Sequence, residues 1–121
     1  MPLDGSDAAY LWDMLEASQG VVRSVKNLTL EQYQANEDLR LATERRIEII
    51  GEAAGRVSQT VQQAHPEIPW RRIIAQRHVL AHEYGEIDDE LIWSLAATHI
   101  PQLITMLEGL IPPPPVPDTQ S

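Results

Sequence analysis

A chain of 121 residues with no cysteine and a formal net charge of -9 is the size of one folded domain, excludes disulfide frameworks and thiolate metal sites, and argues against a general nucleic-acid binder with a basic face. No apolar run approaches the ~20 residues that span a bilayer, and the start lacks a basic n-region and an apolar h-region, so a cytoplasmic protein away from membranes is expected. The charge is unevenly spread: residues 68–82 contain Arg71, Arg72 and Arg77 and no acid, whereas residues 83–90 contain Glu83, Glu86, Asp88, Asp89 and Glu90.

Helical periodicity runs through nearly the whole chain, and no window alternates apolar and polar residues for long enough to make a strand, so the fold class is all-α. The spacing predicts a first helix over about residues 6–26, with Ala9, Leu11, Trp12, Leu15, Val21, Val22 and Val25 on its apolar face, broken at Asn27-Leu28. Thr29 with Gln32 three residues on fits a capping box opening a short turn of helix through about Gln34. One long helix is predicted over about residues 36–63, ended by His65-Pro66-Glu67-Ile68-Pro69. Inside it, Gly51 and Gly55 offer small residues at i,i+4 for close helix approach; without a Gly-Lys-Ser/Thr ending or a preceding strand they are no phosphate loop.

The next helix is predicted over residues 70–84, stopped by Gly85, and the last begins with acids at Asp88, Asp89 and Glu90 and runs to about Leu110. Pro101 falls inside that last helix and should kink it or divide it. Residues 1–111 are expected to form the helical domain. Residues 112–121, rich in proline, are expected to form an extended and then loose tail that acts as a solvated spacer.

The segment that carries chemistry is Arg77-His78-Val79-Leu80-Ala81-His82-Glu83-Tyr84. Arginine presents a planar fork matched to phosphate oxygens, and histidine both takes and gives a proton near neutrality. Counting ~100° per residue from Arg77, residues Trp70, Ile73, Ile74, Leu80, Ala81 and Tyr84 fall within about 60° of it. Arg71, His78 and His82 form a second stripe at roughly 100° to 140°. Arg77 therefore sits amid an apolar face, where a guanidinium needs a partner.

On residue types alone, the ordinary role for Arg77 is an ion pair with Glu48 or Glu52, although Arg45 and Arg56 are local partners for those two acids. His82 is either a histidine stabilised at a helix end or a general acid/base, and Tyr84 is either a half-buried aromatic or an exposed hydroxyl beside Gly85. His78 and His82 have metal-ligand spacing at i,i+4, but no third ligand is in register, so no metal and no cofactor are expected.

Three stretches carry a family resemblance: Arg46-Ile47-Glu48-Ile49-Ile50-Gly51-Glu52-Ala53-Ala54; Ile68-Pro69-Trp70 leading into Ile73-Ile74; and Arg77 to Tyr84 followed by Ile87-Asp88 and Trp93. The chain resembles the HepT-like proteins (domain of unknown function 86) of the HEPN superfamily, from the first helix to about Leu110. The resemblance implies an antiparallel helical bundle of about four to five helices that forms a homodimer in which two Arg-x4-His copies line a shared cleft.

It further implies a metal-independent ribonuclease, the toxin of a toxin-antitoxin pair, cleaving RNA and sparing DNA. Arg77 and His82 would be catalytic. Tyr84 would be AMPylated by an MntA-like minimal nucleotidyltransferase antitoxin, and Arg71, Arg72 and His78 are possible RNA or phosphate contacts. His78 departs from the family, which commonly has asparagine there. Two other readings stand beside this one. In the first, the chain is a non-catalytic helical subunit that presents substrate or nucleotide to a nucleotidyltransferase; in the second, it is a plain dimeric interaction domain.

Overall fold

A computed structural model describes the backbone of residues 5–82 and 89–111, and the side chains of all of these except residues 77–82. Helix α1 spans Gly5–Val25, α2 Leu30–Gln34, α3 Glu37–Arg56, α4 Gln59–Ala64, α5 Trp70–His82, α6 Asp89–Ser94 and α7 Ile100–Leu110. No strand occurs among the described residues. The all-α bundle expected from periodicity is therefore the fold.

Local chemistry sets most boundaries. The left-handed residue after α1 is Asn27, at φ 64°, a conformation that asparagine tolerates better than most side chains. The Thr29–Gln32 box is complete: the Gln32 N–H donates to Thr29 Oγ1 (3.1 Å) and the Thr29 N–H to Gln32 Oε1 (2.9 Å). Asn36 caps α3 by accepting from the Leu39 N–H (3.0 Å).

The single long helix expected over residues 36–63 is instead two. Val57 leaves helical geometry at ψ 137°, and Ser58 restarts the chain as the N-cap of α4, accepting from the Val61 N–H (3.3 Å). A buried carboxylate on α1 holds this break, because Asp7 accepts from both the N–H and the hydroxyl of Ser58. Hydrophobic periodicity continues across the junction and conceals it: Val57 and Val61 are both buried.

The helix bearing Pro101 also departs from α geometry. Residues Leu95–His99 form a π turn in which the Ile100 N–H reaches back five residues to Leu95 O. Proline has no N–H to donate, and its ring crowds the preceding turn, so the wider turn absorbs it and α7 begins with Pro101 in its first turn. The expected division thus takes the form of a π turn.

The centre of the fold is the α1–α3 pair, with α5 packed on α3 and α7 with the π turn packed on α1. Contacts between Asp7 and Ser58 at one end, and between Ser24 and Arg46 at the other, make α1 and α3 antiparallel. Leu11, Met14, Val21, Ile50, Ala54, Ile68 and Leu107 are almost fully enclosed. Ala9, placed on the apolar face by its spacing, is exposed, and Met14 takes its share of the core. Gly51 is buried as expected of a packing glycine, whereas Gly55 faces open space. The close approach falls at Gly20, where a Cβ would lie 2.8 Å from Arg46 Nε.

Candidate functional site

Helix α5 is built to hold a fixed orientation against α3. Its start is stapled by the Trp70 indole, whose Nε1–H donates to His65 O (3.0 Å), and by Pro69 O, which accepts from the Ile73 N–H (3.0 Å). Trp70 and Ile73 are buried and Ile74 is half-buried, so the face read as apolar is the one that packs. The helical repeat then puts position 77 on that packed face and positions 71, 78 and 82 on the flanking stripe. Among the described side chains of α5, which end at residue 76, Trp70, Ile73 and Ile74 pack while Arg71 is exposed.

The side chains of Arg77, His78 and His82, and Tyr84 as a whole, lie outside the described residues; so do Gly85, Asp88 and residues 112–121. Glu48 and Glu52, the possible partners of Arg77, hold the local pairs open to them. Arg45 Nη1 is 3.1 Å from Glu48 Oε1, and Arg56 Nη2 is 3.7 Å from Glu52 Oε1. Both arginines are well exposed, so each pair contributes little to stability.

Arg71 and Arg72 are exposed on the first turn of α5. Arg72 Nη2 lies 3.5 Å from His99 Nδ1, a weak contact linking α5 to the π turn. His99 was not singled out by sequence. Its only signal is its place two residues before Pro101.

Charge segregates around this helix. Exposed acids Asp13, Glu16, Glu31, Glu37 and Asp38 lie on α1, α2 and α3 or their margins. Across residues 58–76 the single acid is Glu67, 3.4 Å from the His65 ring. The described surface of α4 and α5 is thus neutral to basic within an acidic chain.

A polar cluster at the α2–α3–α6 junction also escaped the sequence reading. Tyr33 is fully buried with its ring against Trp93, centroids 5.6 Å apart at 44°. Burial, with help from the nearby carboxylates of Glu44 and Asp89, raises the Tyr33 pKa well above its ordinary value, so the phenol stays neutral. Burial first, and Asp89 second, also raise Glu44, while Arg40 opposes both shifts. Tyr33 is one of three tyrosines in a chain without phenylalanine, and nothing in its spacing distinguishes a core position.

Comparison with known proteins bears on this geometry. The family model "Ribonuclease HepT-like" matches residues 14–110, which include all of α3, α5 and the π turn. A protein of Methanocaldococcus jannaschii named as a candidate RNase is 30% identical over 95 residues, covering 78% of this chain and 87% of the relative. A second from the same organism is 29% identical over 103 residues, covering 85% of each chain. A protein of Thermococcus cleftensis named probable ribonuclease HepT is 32% identical over 101 residues, 84% of this chain and 92% of the relative. Among solved structures, none matches. With a helical bundle of the expected type, a motif helix in the expected place and a family match over most of its length, the chain belongs to the HepT-like ribonuclease family.

Proposed function

We propose that this protein is an endoribonuclease whose Arg77 and His82 cleave RNA without a metal, and that it acts as the toxin of a toxin-antitoxin pair. The observation that carries the reading is the family match spanning the whole of α5, with Arg-x4-His on it, in a region whose described surface carries arginines and a single acid, Glu67.

RNA supplies its own nucleophile in the 2′-hydroxyl, so the protein has only to move protons and stabilise charge at phosphorus. His82 accepts the proton of the 2′-hydroxyl as that oxygen bonds to phosphorus; the bond to the 5′-oxygen breaks, and the leaving oxygen takes up a proton returned by the His82 imidazolium, directly or through water, so that the histidine ends neutral. Arg77 neutralises the charge that develops on the phosphoryl oxygens. The products are a 2′,3′-cyclic phosphate and a free 5′-hydroxyl, and DNA is spared because it lacks the nucleophile.

Positions 77 and 82 lie on different stripes of one helix, so a homodimer that faces two copies of α5 across a cleft brings them onto one phosphate. Tyr84 is the residue a minimal nucleotidyltransferase partner modifies. An adenylyl group two residues beyond His82 puts an anion where the substrate phosphate belongs and silences the site. The acidic outer helices are the surface for that partner. None of the described helices is long and apolar enough to cross a membrane.

Expression of the wild type should arrest growth and yield RNA fragments with cyclic ends, and His82→Ala should do neither. Equal, harmless behaviour of both proteins would select the alternative of a non-catalytic subunit of a nucleotidyltransferase complex. Co-expression with the partner should add AMP mass to Tyr84, and Tyr84→Phe should escape neutralisation.

A further inference from the structure

A groove of about 840 Å³ lies between α4 and the first turns of α5. Its walls include Gln59, Gln63, Pro66, Trp70, Arg71 and Ile74, and no carboxylate is among its described lining residues. Gln62 is fixed at the back, its amide donating to Val57 O (3.0 Å) and Ala54 O (3.3 Å). The Gln59, Gln63 and Arg71 side chains are exposed, and Arg71 makes no ion pair among the described residues. The groove thus has an apolar floor, amides at its edge and two guanidiniums, Arg71 and Arg72, at its rim.

That combination fits one class of occupant better than others. A flat base rests against proline, indole edge and isoleucine; a primary amide, which both donates and accepts, matches the edge of an unpaired base; a guanidinium takes a phosphate. An acidic peptide could pair with the rim arginines Arg71 and Arg72 but would leave the amides and the apolar floor unused.

Position also connects the groove to the motif. Residues 71 and 82 are eleven apart on α5, about 20° from one face and about 16 Å along the axis, with position 78 on the same stripe between them.

We propose that this groove is a subsite for a nucleotide flanking the cleaved bond: single-stranded RNA engaged at position 82 runs along the 71–78–82 stripe, places a phosphate on Arg71 and a base on the Pro66–Trp70–Ile74 floor, and meets Gln59 and Gln63 at the base edge. The assignment rests on the ribonuclease reading and deepens it.

The test uses the full chain and a labelled 2′-O-methyl oligoribonucleotide, which binds without being cut. Arg71→Ala should weaken binding about five- to tenfold. It should also lower the slope of log affinity against log salt by about 0.7, the loss of one phosphate contact. Gln59→Ala with Gln63→Ala should weaken binding of the oligonucleotide at unchanged slope, and none of these changes should affect a dinucleotide too short to reach the groove.

Wild-type affinity and slope in both variants would overturn the subsite, as would Arg71-dependent capture of an acidic peptide without RNA binding. Cleavage of unmodified RNA is followed in parallel. Arg71-dependent binding without cleavage keeps the groove and removes the catalytic reading, whereas cleavage with unchanged binding in the variants does the reverse.

Discussion

The carboxylate of Asp7 accepts two hydrogen bonds from Ser58, one from the backbone N–H and one from the hydroxyl, each 2.8 Å long. Ser58 Oγ in turn accepts from the Val61 N–H and so caps α4. One buried acid in the first turn of α1 thereby fixes the point at which α3 ends and α4 begins, and α4 forms one wall of the groove beside α5.

Asp7→Ala should therefore cost about 2 kcal/mol, because two charge-assisted bonds go and the Ser58 N–H is left without its acceptor. Asp7→Asn should lose roughly half as much. Urea melts read both values, and an alanine variant within about 0.5 kcal/mol of the parent would show the bracket to be idle.

Gly20 and Arg46 form a second pairing across α1 and α3. Arg46 Nη1 donates to Ser24 Oγ (2.6 Å), which donates to Gly20 O (2.8 Å), and the arginine arm crosses the space a Gly20 side chain would fill. Gly20→Ala should displace that arm and destabilise by about 1 kcal/mol, despite the better helix propensity of alanine. In an Arg46→Ala background the same change should become stabilising by up to ~1 kcal/mol. A Gly20→Ala effect of the same sign in both backgrounds would contradict the contact.

Tyr33 has a buried hydroxyl with no hydrogen-bond partner among the described residues. Tyr33→Phe keeps the ring against Trp93 and removes a group whose desolvation is uncompensated, so thermal melting should show stability unchanged or raised by up to ~1 kcal/mol. A loss above about 1 kcal/mol would reveal a partner for the phenol.

Glu44 follows from its raised pKa, with the sign set by proton counting. Between its ordinary value and the raised folded value, the native state holds more protons than the unfolded chain, so stability falls as pH rises through that window. Ionised Glu44 is thus a burden at neutral pH. Glu44→Gln should raise the melting temperature by a few degrees at pH 7 and flatten the mildly acidic part of the stability profile. A variant that melts lower than the parent at pH 7 would refute this.

Much of the fold was legible in the residues themselves. The Thr29–Gln32 box, the stop at residues 65–69 and the acidic start at Asp89 act through hydrogen bonds and dipoles within a few positions, and each boundary stands where those residues put it. The two stripes of α5 were legible for the same reason, since a helix of fixed pitch assigns faces by counting.

What sequence left open concerns contacts between distant positions. The break at Ser58 is selected by Asp7, 51 residues away, while the local apolar pattern runs straight through it. Gly20 reads as an ordinary helix interior until Arg46 is laid across it, and Gly51-x3-Gly55 reads as a packing pair although only its first member is buried. The groove between α4 and α5 exists only because the chain turns back after residue 64, bringing glutamines with no recognisable spacing beside Arg71.

By itself the sequence determined the helical class, most helix ends, the two faces of the motif helix and the family, because periodicity, capping and motif spacing are properties of neighbours along the chain. Only the tertiary structure decided where the long helix divides, which glycine lies under an arginine and which side chains share a groove, because burial and desolvation depend on groups that meet only after folding.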